Sequence, residues 1–163
     1  MPGAAFITVT PADTPAEVAE TTRLFVEYAE SLNFSLCFQG FDAEITDMPG
    51  RYAPPRGRLL LARVDGAAAG AVGLRPLDGN ICEMKRLYVR PDFRRLGLGR
   101  RLAEAILARG REAGYGRMRL DTLASMTAAG ALYHDLGFVE IAPYYDNPLD
   151  GVRYYECALG DGP

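Results

Sequence analysis

Arg94-Arg95-Leu96-Gly97-Leu98-Gly99 lies between a stretch that reads as a strand, Ile81 to Val89, and one that reads as a helix, from about Gly97 to Ala113. A strand that runs into a glycine-rich turn and then a helix is an anion-binding arrangement. The first helical N–H groups have no backbone partners, and the helix dipole adds positive potential at that end. Gly97 and Gly99 carry no Cβ, so an anion approaches the backbone closely. Arg94, Arg95, Arg100 and Arg101 supply charge-assisted donors around the turn. The plain alternative is a solvated basic surface, and the two glycines at the turn argue for a site instead.

The ligand is narrowed by residue identity. A P-loop needs Gly-x-x-x-x-Gly-Lys-[Ser/Thr], and no Lys-Ser or Lys-Thr pair exists here. A dinucleotide fingerprint would place glycine at 97, 99 and 102, but position 102 is leucine. That fingerprint also wants regular strand–helix alternation from the N-terminus, which is missing.

Working outward, Thr14-Pro15-Ala16-Glu17 has the capping-box pattern and opens a helix to about Leu32 after a short strand, Phe6 to Val9. Asp42 to Met48 reads as a short helix ended by Pro49-Gly50, with a loop at Arg51 to Gly57. Arg58 to Val64 and Ala67 to Leu74 flank Asp65-Gly66, a hairpin signal, and Asp78-Gly79-Asn80 marks the next turn. Beyond the central helix, Arg117 to Thr122 is a strand and Met126 to Leu136 a helix stopped at Gly137. Phe138 to Ile141 and Val152 to Leu159 read as the final strands. This order indicates an α+β (mixed α/β) fold in one domain over residues 1–163.

Three motifs in this order resemble the GNAT superfamily of N-acetyltransferases. The family hallmark [Gln/Arg]-x-x-Gly-x-[Gly/Ala] is matched by Arg94-x-x-Gly97-x-Gly99. Glu83-Met84-Lys85-Arg86-Leu87-Tyr88-Val89 before it and Ala131-Leu132-Tyr133-His134-Asp135-Leu136-Gly137-Phe138 after it are also similar to the family. The likeness is specific from about Leu59 to Leu159; the N-terminal third fits only in element order. The resemblance implies a twisted mixed sheet of about seven strands flanked by about four helices and splayed at strands 4 and 5. It implies acetyl-CoA as cosubstrate. Backbone N–H groups of Leu96, Gly97, Leu98, Gly99 and Arg100 would hold the pyrophosphate, with Arg94 and Arg95 beside them. The Leu87-Tyr88-Val89 segment would pair with the pantetheine arm, and Tyr133 would be the general acid near the CoA sulfur.

Acyl transfer needs a base for the amine, a donor for the developing oxyanion and a proton for the thiolate. Glu83 is the expected base, with a carboxyl pKa raised by a partly apolar cleft. The N–H of Leu87 or Val89 is the expected oxyanion donor. Tyr133 has an alternative reading as a core aromatic, and Glu83 as an exposed strand residue. Cys82 falls on the opposite strand face and reads as a packed thiol. The acceptor is expected to be a small amino compound or amino acid, with a protein N-terminus or lysine second. Phe34, Phe38, Phe41, Tyr144 and Tyr145 are candidates for its pocket. Arg75 and Arg153 are candidates for a substrate carboxylate, and Asp42, Glu44, Asp121 and Asp146 for its amine. A non-catalytic acyl-CoA sensor remains the alternative from another class.

Composition excludes other classes. Three scattered cysteines and a single histidine, His134, make neither a disulfide framework nor a zinc site, so no metal is expected. The net charge of −3 gives no pull toward nucleic acid, although seven of the chain's 18 basic residues fall between Lys85 and Arg101. No apolar stretch approaches the roughly 20 residues of a membrane span, and no secretory leader is visible, so the cytoplasm is the expected location. Many members of the family pair, which places a homodimer among the expectations.

Overall fold

The computed structural model describes residues 4–32 and 40–160. Seven strands form one sheet: β1 Ile7–Pro11, β2 Arg58–Val64, β3 Ala67–Asp78, β4 Ile81–Val89, β5 Arg117–Leu123, β6 Val139–Ile141 and β7 Val152–Ala158. Four α-helices accompany them: α1 Pro15–Ser31, α2 Phe41–Thr46, α3 Leu98–Glu112 and α4 Thr127–Asp135. The spatial order is β1-β2-β3-β4-β5-β7-β6. Among the described residues only β4 and β5 pair in parallel, and a parallel pair needs a crossover, which α3 supplies.

The local signals act as their chemistry requires. Thr14 accepts from the Glu17 N–H at 3.1 Å while Glu17 accepts from the Thr14 N–H at 3.0 Å, closing the capping box that starts α1. Asp65 and Gly66 both hold positive φ in the two-residue turn between β2 and β3. β3 runs four residues past the expected Leu74. Its register with β2 ends at Arg58 opposite Leu74, so Pro76 sits where β3 is free on its β2 side while still in register with Cys82 of β4, a placement proline tolerates.

Two cores lie on opposite faces of the sheet. On one face α3 packs Leu98, Leu102, Ala103 and Ile106 against Val72, Leu74, Met84 and Met118. On the other, Leu24 and Phe25 of α1 and Phe41 of α2 meet Tyr52, Leu61, Ala71 and Tyr88. Tyr52 is 2% exposed, and its ring occupies the space beside Gly73: a Cβ built there would lie 2.5 Å from Tyr52 Cε1. Gly73→Ala is therefore expected to destabilise the protein by about 1–3 kcal/mol through overpacking alone. Urea unfolding would read this as a lower midpoint at unchanged slope.

The parallel pairing of β4 with β5 covers only Ile81, Cys82 and Glu83, opposite Arg117, Met118 and Arg119. From Met84 onward the two strands diverge, and the sheet opens as the resemblance implies.

Candidate active site

The site begins with a break in strand alternation. Cys82 and Met84 point to the α3 face, as do Leu87 and Val89, whereas Tyr88 packs on the α1 face. The parity changes because β4 carries an extra residue: Ala71 faces Tyr88, but Gly73 faces Lys85. Arg86 sits at this bulge with φ +60°, and bulges of this kind re-aim side chains. As a result Lys85 and Arg86, neighbours in sequence, both turn toward the α1–α2 side.

Their charges are balanced inside the protein. Arg86 Nε lies 3.2 Å from Glu44 Oε2, and its guanidinium stacks over Phe41 at 5.1 Å. Arg75 bridges Glu83 at 3.0 Å and Glu44 at 3.5 Å. Lys85 Nζ is 3.8 Å from Asp121 Oδ1. Glu83, Lys85 and Arg86 are each 5% exposed or less. Isolated buried charges are costly, so three cations and three carboxylates held in mutual contact are the arrangement burial tolerates. Among the described residues no fully buried side-chain polar atom lacks a hydrogen-bond partner.

The loop before β7 closes over these acids. Tyr144 donates to Glu83 Oε2 at 2.6 Å and Tyr145 to Asp121 Oδ2 at 2.5 Å. Tyr144, Tyr145 and Tyr154 pack edge-to-face, with centroids 5.3–5.5 Å apart. Burial, and then the adjacent carboxylates, push both latch tyrosines well above the ordinary phenol pKa, so they remain donors.

Two small cavities occupy the opening between β4 and β5. One, of about 50 Å³, is lined by Tyr28, Lys85, Arg86, Asp121 and Asn147 among others. The second, of about 110 Å³, shares Tyr28, Arg86 and Asp121 with the first and extends to Leu87 and Tyr133. Asp121 therefore faces both. Tyr133 faces only the second, on the side nearer α3. Burial raises its hydroxyl pKa, and the Tyr28 hydroxyl and Asp121 carboxylate add to that, keeping it protonated through the neutral range.

The loop of residues 94–97 follows β4 by way of a short 3-10 turn at Pro91–Phe93. Arg94 to Gly97 are exposed. Gly97 caps α3 at φ +75° with no side-chain acceptor for the first helical N–H groups. A Cβ at Gly97 would meet nothing within 4 Å, and one at Gly99 only Leu132 Cδ2 at 3.9 Å. The cradle is therefore open, electropositive and lined with backbone donors, which fits a pyrophosphate. Arg100 reaches Asp135 at 3.0 Å, and Arg94 Nε donates to the Val89 carbonyl at 3.3 Å.

The expected residues thus fall into two groups. Leu87 and Tyr133 line one cavity of the opening, and the loop is tied to the end of β4 by Arg94, whose Nε donates to the Val89 carbonyl. Glu83 does not join them: it lines neither cavity, is 2% exposed, and gives its oxygens to Arg75 and Tyr144. Its pKa differs from expectation too. Burial pushes the carboxyl up, but Lys85, Arg75 and the Tyr144 hydrogen bond outweigh it and hold Glu83 below the usual carboxylate range. Arg75 and Glu44, expected to meet substrate, are tied into the same buried network. Arg153 is exposed beside Glu140, and Asp42 and Asp146 are exposed. Phe34 and Phe38 lie outside the described residues. Cys82 is fully buried with its thiol pushed up to about 12 by burial, an inert packed group. Sequence reading did not foresee the paired orientation of Lys85 and Arg86; two adjacent cations in one strand, where alternation would put them on opposite faces, were the available signal. Among the described residues no cluster of three potential metal ligands occurs, and no helix is long and apolar enough to cross a membrane.

Comparison with known proteins agrees with this geometry. The model of the Acetyltransferase (GNAT) family matches residues 19–138. An uncharacterized N-acetyltransferase of Schizosaccharomyces pombe is 39% identical over 155 residues, covering 94% of this chain and 95% of the relative. An Escherichia coli relative, the uncharacterized N-acetyltransferase YjgM, is 30% identical, with 90% and 86% covered. Among solved structures, a Staphylococcus aureus GNAT acetyltransferase superposes with TM-score 0.76 at 21% identity, over 95% of this chain and 100% of that one. A Salmonella typhimurium acetyltransferase solved with its cofactor acetyl-CoA gives TM-score 0.69 at 20% identity, covering 96% and 95%. With the family match spanning most of the chain and the strand opening in place, this chain belongs to the GNAT family of acetyltransferases.

Proposed function

We propose that the protein is an acetyl-CoA-dependent N-acetyltransferase acting on the primary amine of a small molecule. The observation that carries this reading is the cavity that the buried Tyr133 and the Asp121 carboxylate both line, in the opening beside β4, together with the phosphate-type cradle that follows the same strand. The amide donors of residues 96–100 hold the pyrophosphate, with Arg94, Arg95 and Arg100 screening its charge. The β4 edge at Leu87, Tyr88 and Val89 receives the pantetheine arm and offers an N–H to the carbonyl oxygen. Acetyl-CoA supplies a thioester: the C–N bond forms at its carbonyl carbon as the C–S bond breaks.

The protein's residues manage the protons. The ammonium form of the acceptor cannot attack, and Asp121, facing both cavities, takes its proton. Glu83, proposed from sequence as the base, is here a positioning residue: it fixes Arg75 and Tyr144 and adds to the field on Lys85. Tyr133 holds the proton that the departing thiolate takes.

Thiol release from acetyl-CoA over an amine library tests the reading. Tyr133→Phe is expected to lower kcat about 100-fold, the scale of a lost general acid, with CoA affinity unchanged. CoA binding without turnover of any amine would identify a sensor module instead. Turnover in Tyr133→Phe equal to wild type would leave the tyrosine as a core aromatic only.

A further inference from the structure

Lys85 is the only lysine in the chain; the other 17 basic side chains are arginines. It is 5% exposed and lines the smaller cavity, with Arg86 beside it and the Asp121 carboxylate opposite. The bulge at Arg86 exists at a cost, since a non-glycine residue at φ +60° is strained. Its effect is to turn two consecutive cations into one cavity.

From this juxtaposition we infer that the acceptor is a zwitterion, a small α-amino acid, whose carboxylate is read by Lys85 and Arg86 while its ammonium meets Asp121. The inference rests on the acetyltransferase reading above and names its substrate class. Three arguments support it. The first is spacing. Lys85 Nζ and Asp121 Oδ1 are 3.8 Å apart, so a ligand pairing with both must carry opposite charges about one or two carbons apart. A long diamine or a lysine side chain does not.

The second is neutrality. Arg75, Lys85 and Arg86 are matched by Glu44, Glu83 and Asp121 through four ion pairs. An entering ammonium alone, or a carboxylate alone, leaves one charge uncompensated in a site shielded from water, and such charges are expensive. A zwitterion adds none. Burial already disfavours the charged form of Lys85, opposed by Glu83 and Asp121; a carboxylate beside it favours that form further.

The third is size. About 50 Å³ holds a few water molecules or one compact polar head. The second cavity, toward Tyr133, is where the amine meets the acyl group.

The test uses matched pairs: an α-amino acid, its decarboxylated amine, its amide and a dipeptide bearing it at the N-terminus. Thiol release with wild-type enzyme is expected to favour the free amino acid at least 10-fold in kcat/KM over each partner for the preferred side chain. Equal or better turnover of the decarboxylated amines overturns the inference while leaving acetyltransfer intact; preference for the dipeptide assigns the site to peptide N-termini and overturns it too. Because Lys85 is the only lysine, protein labelled with 13C at lysine Cε gives one lysine signal. Saturating free amino acid, with desulfo-CoA bound, is expected to shift that signal and move its titration to higher pH, and the decarboxylated amine is not. This readout separates the two layers. A shift with no turnover of any amine retains the ligand class and removes the acetyltransferase reading; no shift with amino acids that are turned over removes Lys85 from carboxylate recognition. In Lys85→Gln the amino acid preference is expected to fall toward unity, and its full retention counts against the lysine's part.

Discussion

Replacing Gly99 by aspartate is expected to cut CoA affinity several-hundred-fold while leaving the fold at least as stable. The position separates the two effects cleanly. Gly99 lies in the first turn of α3, does not hold positive φ, and would extend a Cβ into open space with only Leu132 Cδ2 at 3.9 Å. A Cβ fits there without strain. An acidic side chain near a helix N-terminus also stabilises the helix, by typically 0.3–1 kcal/mol. The same carboxylate sits where the pyrophosphate would lie. Two charges about 4 Å apart interact by about 4 kcal/mol at the effective dielectric of a protein surface, and each 1.4 kcal/mol is tenfold in affinity. Calorimetry with CoA and a thermal melt on one preparation check both halves. A Gly99→Asp protein that keeps wild-type CoA affinity would show that the loop is not the phosphate cradle. Gly99→Ala is the control, expected to change affinity far less, since it adds bulk without charge.

The loop was legible because its chemistry is local. Two glycines, four arginines and the strand–helix junction occupy consecutive positions, and the first turn of a helix exposes its amides whatever the rest of the chain does. The element order was legible for the same reason: the capping box at Thr14, the Asp65-Gly66 turn and the stop at Gly137 act within a few residues. The buried charge network was not. Glu44 meets Arg75 and Arg86 across 31 and 42 residues of sequence, and nothing local to β4 shows that its charges are buried and compensated rather than solvated. The bulge was the second blind spot. Strict alternation puts Arg86 on the face of Cys82, and a single residue at positive φ reverses every assignment after it. The surroundings of Glu83 were hidden for a related cause. Its place on the central strand upstream of the loop was correct, but the hydroxyl and guanidinium that occupy it come from Tyr144 and Arg75, on other elements. Nor does sequence order reveal that β7 inserts between β5 and β6, which is what brings the Tyr144–Tyr145 loop over the acids.

Which carboxylate takes the amine's proton is decided by a pair of isosteric changes with opposite expected profiles. Asp121→Asn keeps the side-chain shape and still accepts from Tyr145, but it cannot take a proton, no longer attracts an ammonium and removes the carboxylate that faces the buried Lys85, so it too lowers the unfolding midpoint. Loss of a positioned base is worth about 10²–10⁴-fold, and the expected fall is about a thousand-fold in kcat/KM with CoA affinity unchanged. Glu83→Gln is expected to behave the other way. It removes one partner of a buried ion pair with Arg75, the kind of change that costs about 3–5 kcal/mol, so its main effect falls on the unfolding midpoint. Its folded fraction should retain activity within about tenfold, because Glu83 faces neither cavity. Rates must therefore be normalised to folded protein. The reverse outcome, a thousand-fold loss in Glu83→Gln with Asp121→Asn nearly intact, would return the base to Glu83 and require the Tyr144 latch to open before the amine binds. In that case Tyr144→Phe would raise activity by freeing the carboxylate, whereas with Asp121 as base the same change weakens the loop over the cavity and lowers it.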